Sequence, residues 1–321
     1  MKQPANLVKP KDVEALSRLL KEADQASAKL PKVDARHLNH LIEHTPEDMT
    51  ATAQAGLGFD QFQTKLGKAG QWLPLDPVVP ARFNLGSLIA TNASGPRRLG
   101  YGTVRDYLIG IQVILANGSI VRSGGKVVKN VAGFDLAKLF VGSQNSLGII
   151  VEATFKLRPI PERETIMVTT LETIHETTDL AERILADGLS PVILDIHNIA
   201  GKSTGLNPPQ LVVGFAGDAD DVAFQQEALR EFGEFTISGL EYEEHFWGQS
   251  EVDPKAQTVL PSKLPDMLRT LAGEPFVARA GMGLVYHRSD VEMNSTRPAI
   301  QLEQRLKNLF DPKGVLPEIP T

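Results

Sequence analysis

The residues with the greatest chemical potential lie between Leu85 and Gly148. The chain there reads LGSLIATNASGPRRLGYGTVRDY, an apolar run, and then SGGKVVKNVAGFDLAKLFVGSQNSLG. Eleven of its 27 glycines fall in this stretch. Glycine loses more backbone freedom on folding than any other residue, so this density marks positive φ angles or close approach of the main chain to a ligand. Asn117-Gly118 and Gly124-Gly125 are accounted for as hairpin turns. Thr91-Asn92-Ala93-Ser94-Gly95 is different: five small residues follow Leu88-Ile89-Ala90 and precede the basic pair Arg97-Arg98. Hydroxyl, amide and backbone donors beside two cations suit a phosphorylated, planar ligand. The same run also suits a structural turn, and the residues alone leave both readings open.

Other candidate groups are scattered. His37, His40 and His44 are spaced three and four apart, the spacing of one helical face, and a solvated helix is the expectation there. Glu241 to Glu244 with His245 reads as an exposed acidic face rather than an acid–base cluster. Gly201-Lys202-Ser203 resembles a fragment of a phosphate loop, lacks its upstream glycine, and reads as a surface turn. G-x-G-x-x-G at a strand-to-helix junction, H-E-x-x-H and G-x-S-x-G are all missing, so a Rossmann dehydrogenase, a zinc peptidase and a serine hydrolase lack support. The chain has no cysteine, which excludes disulfides, thiolate chemistry and an iron–sulfur cluster of its own. A net charge of -6 argues against nucleic acid as partner. No metal site and no integral membrane segment are expected, and the cytoplasm is the expected compartment.

The elements that must position these groups follow from periodicity. Residues 11–26 and 59–68 predict amphipathic helices, 49–55 a strand, and 104–115 with 120–122 an antiparallel hairpin. A helix is expected over 134–141 and a strand over 147–157, ending at Arg158-Pro159-Ile160-Pro161, which marks a domain boundary. Beyond it, strands at 166–171, 192–196, 211–215 and 235–240 alternate with helices at 174–187 and 220–231, the pattern of an antiparallel α+β domain. A last helix spans 301–310.

Four segments carry a family resemblance: GQWLPLDP (70–77), LGSLIATNASGPRRLGYGTVRDYLIGI (85–111), GGKVVKNVAGFDLAKLFVGS (124–143) and SLGIIVEATFKLRPIP (146–161). Together with the closing FDPKGVLP (310–317), they resemble the FAD-binding subunit of bacterial glycolate oxidase, within the vanillyl-alcohol oxidase and p-cresol methylhydroxylase (PCMH) flavoprotein superfamily. The resemblance implies an α+β chain with a two-part PCMH-type FAD-binding domain over 1–161, its first part shortened. A smaller antiparallel-sheet cap over 162–299 and a segment returning to the FAD domain over 300–321 complete the implied arrangement.

FAD is the cofactor so implied. Its expected contacts are Leu85, Gly86, Ser87, Thr91, Asn92, Ser94, Gly95, Gly102, Thr103, Gly148, Ile149 and Ile150. The implied reaction is oxidation of a small 2-hydroxy acid to a 2-oxo acid, with a catalytic flavoprotein subunit and an iron–sulfur subunit as partners and peripheral membrane association through them. Such chemistry needs a cation for the carboxylate and a base near the hydroxyl. Arg279 and His287, near Gly281 and Gly283, are the candidates, with a purely structural strand as the alternative.

Two departures from the family stand out. Its early Gly-rich turn, which holds the FAD diphosphate, is replaced by Ala28-Lys29-Leu30-Pro31-Lys32-Val33-Asp34, without a glycine. Charge-assisted bonds to phosphate contribute ~1.5–3 kcal/mol each, so losing two or three removes about 4–8 kcal/mol. Gln144-Asn145 stands where the family prefers glycine in a turn. The alternative function is therefore a scaffold subunit, flavin-free or weakly flavin-binding, that docks onto its partners.

Overall fold

The computed structural model describes residues 7–125, 136–199, 206–248, 254–271, 273–290 and 300–319. The start of the expected 134–141 helix and the Gly201-Lys202-Ser203 turn lie outside them. The chain divides into two compact units: Met1–Ala93, Thr103–Ile160 and Arg297–Thr321 form the first, and Ser94–Gly102 with Pro161–Thr296 the second. The division at Ile160/Pro161 coincides with the proline pair. The difference from the expected domains is Ser94–Gly102, which groups with the second unit.

In the first unit, β1 (Leu7–Val8) leads into α1 (Val13–Gln25), whose N-cap Asp12 accepts from the Ala15 N–H at 2.7 Å. The chain then enters β2 (Lys32–Val33), which pairs in parallel with β1. A five-stranded antiparallel sheet is built from β3 (Leu41–Thr45), β4 (Thr50–Gln54), β6 (Leu108–Ile114), β7 (Ile120–Gly124) and β8 (Ile149–Lys156), in the order β3-β4-β8-β6-β7. Around it lie α2 (Phe59–Gly67), α3 (Leu85–Thr91), α5 (Val104–Tyr107) and α6 (Ala137–Phe140); α4 (Arg98–Tyr101) falls in the second unit. Strands β5 (Gln71–Trp72) and β9 (Arg158–Pro159) form a separate pair. Ala51, Ala53, Phe62, Leu88, Ile89, Val113 and Phe155 belong to one buried core.

The second unit is a seven-stranded antiparallel sheet, ordered β13-β10-β12-β11-β15-β16-β14. In chain order its elements are β10 (Arg163–Thr170), α7 (Ile174–Ala186), β11 (Ile193–Ile199), β12 (Leu206–Gly217), α8 (Ala219–Leu229), β13 (Thr236–Ile237) and α9 (Glu241–Gly248). Then come β14 (Lys255–Thr258), α10 (Leu264–Thr270), β15 (Phe276–Arg279) and β16 (Leu284–His287). The last helix, α11 (Ile300–Phe310), belongs to the first unit.

Three local expectations are corrected. The His37–His44 stretch is not a helix: His44 lies in β3 and bonds Gln71 at 2.9 Å, while His40 bonds Gln54 at 3.0 Å. Pairing with β4 overrides the helical spacing. Residues 104–115 are not one strand, because Thr103 and Asp106 form a capping box that makes 104–107 a helical turn before β6 begins. The acidic stretch at 241–245 is not wholly exposed, since Glu243 is buried.

Candidate cofactor site and buried cap cluster

Of the expected cofactor contacts, Leu85, Gly86, Ser87 and Thr91 lie on helix α3. Asn84 caps α3: its Oδ1 accepts from the Ser87 N–H at 2.8 Å, and Ser87 Oγ accepts from the Asn84 N–H at 3.0 Å. Leu85, Leu88 and Ile89 face the core without exposure. Gly86 donates its N–H to Ala55 O at 2.7 Å, and a Cβ there would come within 3.0 Å of the Ala55 side chain. Thus Leu85, Gly86 and Ser87 are engaged in packing and capping. Thr91 is exposed at the other end, its hydroxyl donating to Ser87 O at 2.7 Å.

Asn92 ends α3 in the left-handed region, at φ 52°, and its buried Oδ1 has no protein partner. The last carbonyls of α3 are taken by another turn: Gly142 N–H donates to Ile89 O at 3.0 Å and Gln144 N–H to Ala90 O at 2.8 Å. Gly142, Gln144 and Asn145 all have positive φ there, so Asn and Gln serve where the family prefers glycine. Gly148 is required by contact, because a Cβ would lie 2.5 Å from Val113 Cγ1 and 3.1 Å from Ile114 O. Ile149 and Ile150 are buried, the former against α1 residues Leu16 and Leu20. Thr103 caps α5. Ser94, Gly95 and Gly102 fall in the second unit, where Ser94 Oγ accepts from Arg98 at 3.2 Å. Arg97 is held by both oxygens of Glu164 at 2.6 Å. The basic pair therefore has partners inside the second unit.

A cavity of about 370 Å³ opens in the first unit beside the α3 N-cap, lined by Arg36, Asn39, Gly58, Gln61, Arg82 and Asn84. Arg36 makes a two-point pair with Asp34, at 2.8 and 2.7 Å, which holds the Asp34 carboxyl down at about 2. Arg82 follows Val79, a β-branched residue at φ 56° and hence strained. The glycine-rich turn is absent here in structure as in sequence: α1 passes to β2 through residues 26–31 with no intervening strand. An FAD would thus find Thr91, the open Asn92 oxygen and two guanidiniums, but no diphosphate turn.

In the second unit, Arg279 and His287 do not converge. Phe276 pairs with His287 and Arg279 with Leu284, which puts the two side chains on opposite faces of the sheet. His287 is fully buried, with Nδ1 on Ser289 Oγ at 2.9 Å and Nε2 unpartnered; burial, aided by Lys255, lowers its pKa. Arg279 Nη1 donates to Asp195 Oδ2 at 2.5 Å and to Glu243 Oε1 at 2.6 Å, and Nη2 donates to Glu243 Oε2 at 2.9 Å. Tyr242 donates its hydroxyl to the same Asp195 oxygen at 2.5 Å, and His197 stacks on the Tyr242 ring at 4.3 Å. Burial, reinforced by Glu243 and opposed by Arg279, pushes the Asp195 carboxyl up to about 7. Burial, helped by Arg279, lowers His197 to about 3. Burial opposes the charge on Arg279, but the two carboxylates outweigh it and raise its pKa further. Asp195, His197 and Tyr242 are not among the expected site residues, and Glu243 falls within the expected exposed face. The signal available was ILDIHNI, a buried strand in which the polar residues Asp195 and His197, at i and i+2, share one face.

Among the described residues no group of three or more His, Cys, Asp or Glu could hold a metal, and no helix is long and apolar enough to cross a membrane.

Residues 32–124 match a family model described as an FAD binding domain. The chain is 39% identical over 160 residues to glycolate oxidase subunit GlcD of Bacillus subtilis, covering 50% of this chain and 34% of that protein. It is 36% identical over 130 residues to glycolate oxidase subunit GlcE of Escherichia coli, covering 40% and 37%. A probable mitochondrial D-lactate dehydrogenase of Danio rerio is 30% identical over 224 residues, covering 65% and 45%. The matched part is thus less than half the length of each of these relatives. Among solved structures, alkyldihydroxyacetonephosphate synthase superposes with a TM-score of 0.71 at 18% identity, over 97% of this chain and 76% of that one. Residues 32–124 are therefore similar to an FAD binding domain, and the α+β fold is the one seen in alkyldihydroxyacetonephosphate synthase.

Proposed function

We propose that this chain is the FAD-binding subunit of a glycolate oxidase-like assembly that oxidises a small 2-hydroxy acid to the 2-oxo acid. The observation that carries the reading is that the FAD binding domain match lies mostly in the first unit, where α3 ends on Asn92 with an open, buried amide oxygen. When bound, FAD supplies the acceptor for the hydride. Thr91 and Asn92 would hold the cofactor beside the end of α3. Arg36 and Arg82 would face the diphosphate from the cavity, in place of the absent turn. Gly86 and Gly148 act on the site through packing, by letting α3 approach Ala55 and β8 approach β6. A catalytic flavoprotein subunit and an iron–sulfur subunit are the proposed partners, since this cysteine-free chain has no cluster ligands of that type.

A second reading has an observation in its favour. Arg279, the candidate cation for a substrate carboxylate, is held through both Nη atoms by Asp195 and Glu243 and its Nε is buried, as befits a chain whose role is to dock rather than to turn over substrate. Titration of the purified chain with FAD, followed by the flavin absorbance band, separates the two. Stoichiometric uptake and release of FAD on denaturation support the first reading. A colourless protein that ignores added FAD yet co-purifies with its partners supports the second.

A further inference from the structure

The second unit seals two carboxylates and one guanidinium beneath α9. Asp195 on β11, Arg279 on β15, and Glu243 with Tyr242 on α9 are at most 7% exposed. One positive charge among two acids leaves a surplus negative charge wherever both acids ionise, in a place where water cannot screen it. The two Asp195 oxygens are unequal. Oδ2 receives both the Tyr242 hydroxyl and Arg279 Nη1, whereas the buried Oδ1 has no protein partner. A proton on Oδ1 neutralises Asp195 without disturbing either bond to Oδ2; its loss strands a charge against a bare oxygen.

Arg288 also reaches α9, donating Nη2 to the Phe246 carbonyl at 2.8 Å and lying over the Phe246 ring, and the groups nearest the Asp195 carboxyl do not absorb that change. His197 accepts the Ile199 N–H on Nδ1 at 3.1 Å, and its burial keeps it neutral. Tyr242 holds its proton, chiefly through burial and secondarily through Asp195. Tyr286 on β16 lies beside Arg279, with Arg98 of α4 acting on it as a further positive charge. On α9 itself, Glu241 and Glu244 are exposed and His245 half-buried, away from the sealed pair.

We propose that Tyr242, Asp195, Arg279 and Glu243 form a proton-operated latch, which fastens α9 to the sheet while Asp195 is protonated and loosens it when Asp195 ionises. The Asp195 carboxyl, raised to about 7, places that change near neutrality. This is a property of the second unit and does not rest on flavin binding.

Trp247 is a built-in reporter. It lies on α9, donates Nε1 to Glu243 Oε2 at 3.2 Å, and packs edge-on against Phe246 and Tyr286. The full chain has two tryptophans, so Trp72→Phe leaves Trp247 alone. In that background, emission and acrylamide quenching are followed from pH 5.5 to 8.5. The expected result is a red shift and increased quenching as pH rises, with a midpoint near neutrality. Asp195→Asn should hold the docked signal throughout, and His245→Gln should leave the transition in place. Glu243→Gln, which removes the neighbouring negative charge, should move the midpoint to lower pH and serves as the deciding variant if Asp195→Asn does not fold. A flat wild-type profile, an unaltered transition in Asp195→Asn, its disappearance in His245→Gln, or a midpoint in Glu243→Gln that stays or rises would overturn the latch.

Discussion

Replacement of Asp311 by alanine is expected to unfasten the C-terminal segment of the first unit. Asp311 and Lys307 are each 3% exposed, and Lys307 Nζ reaches Asp311 Oδ2 at 2.5 Å. The carboxylate also accepts the Val315 and Leu316 N–H groups, both at 2.8 Å. Val315 and Leu316 pack with Leu16, Leu20 and Leu38, so this carboxylate pins the tail over α1. Removing one partner of a buried ion pair costs about 3–5 kcal/mol. Two orphaned backbone donors would add roughly 1–3 kcal/mol each if they stayed buried. Because the tail can swing out to water, these losses do not sum, and about 4 kcal/mol is expected. Urea unfolding of the full chain, followed by Trp72 of the first unit in a Trp247→Phe background, measures it. Lys307→Met should lose less: it forfeits the ammonium's bonds to Ser146 O and Leu316 O, but the carboxylate it leaves keeps both of its backbone donors. A loss below about 1 kcal/mol in Asp311→Ala, or a larger loss in Lys307→Met, would refute the reasoning.

Gly148→Ala should destabilise the first unit by about 1–3 kcal/mol through overlap with Val113, with partial recovery in Gly148→Ala/Val113→Ala; equal stability of Gly148→Ala and wild type in urea would contradict the packing role. Arg82→Ala should weaken FAD uptake by about 10- to 100-fold in a fluorescence titration, the worth of one charged phosphate contact; unchanged affinity would remove the cavity from the site. Stability of the second unit should fall with rising pH: the folded Asp195 carboxyl lies above its unfolded value of 3.8, so its contribution is complete below that value and is lost as pH rises through about 7, by at most roughly 4 kcal/mol. Denaturant midpoints rising from pH 5 to pH 8, with Asp195→Asn unchanged, would reverse that sign.

Much of the architecture was legible in the residues because its signals are local. Asp12 and the Val13, Leu16, Leu20 spacing specify α1, and the small-residue segments carry the flavoprotein resemblance. Local signals failed where partners distant in sequence decide. His44 sits in a strand because β4 pairs with it, and the close approach of Ala55 to Gly86 and of Val113 to Gly148 is set by residues far away in the chain.

The buried cluster in the second unit shows the same limit more sharply. Asp195, Glu243 and Arg279 are 36 to 84 residues apart, and no periodicity links them. Composition, charge and motif order are properties of the chain taken one window at a time, so the sequence by itself determined the class of domain and the absence of cysteine chemistry. Which arginines meet carboxylates and which glycines are wedged between strands depends on long-range burial. Only the tertiary structure decided that Arg97 and Arg279 are occupied by Glu164, Asp195 and Glu243, while Asn92 is left with an open oxygen.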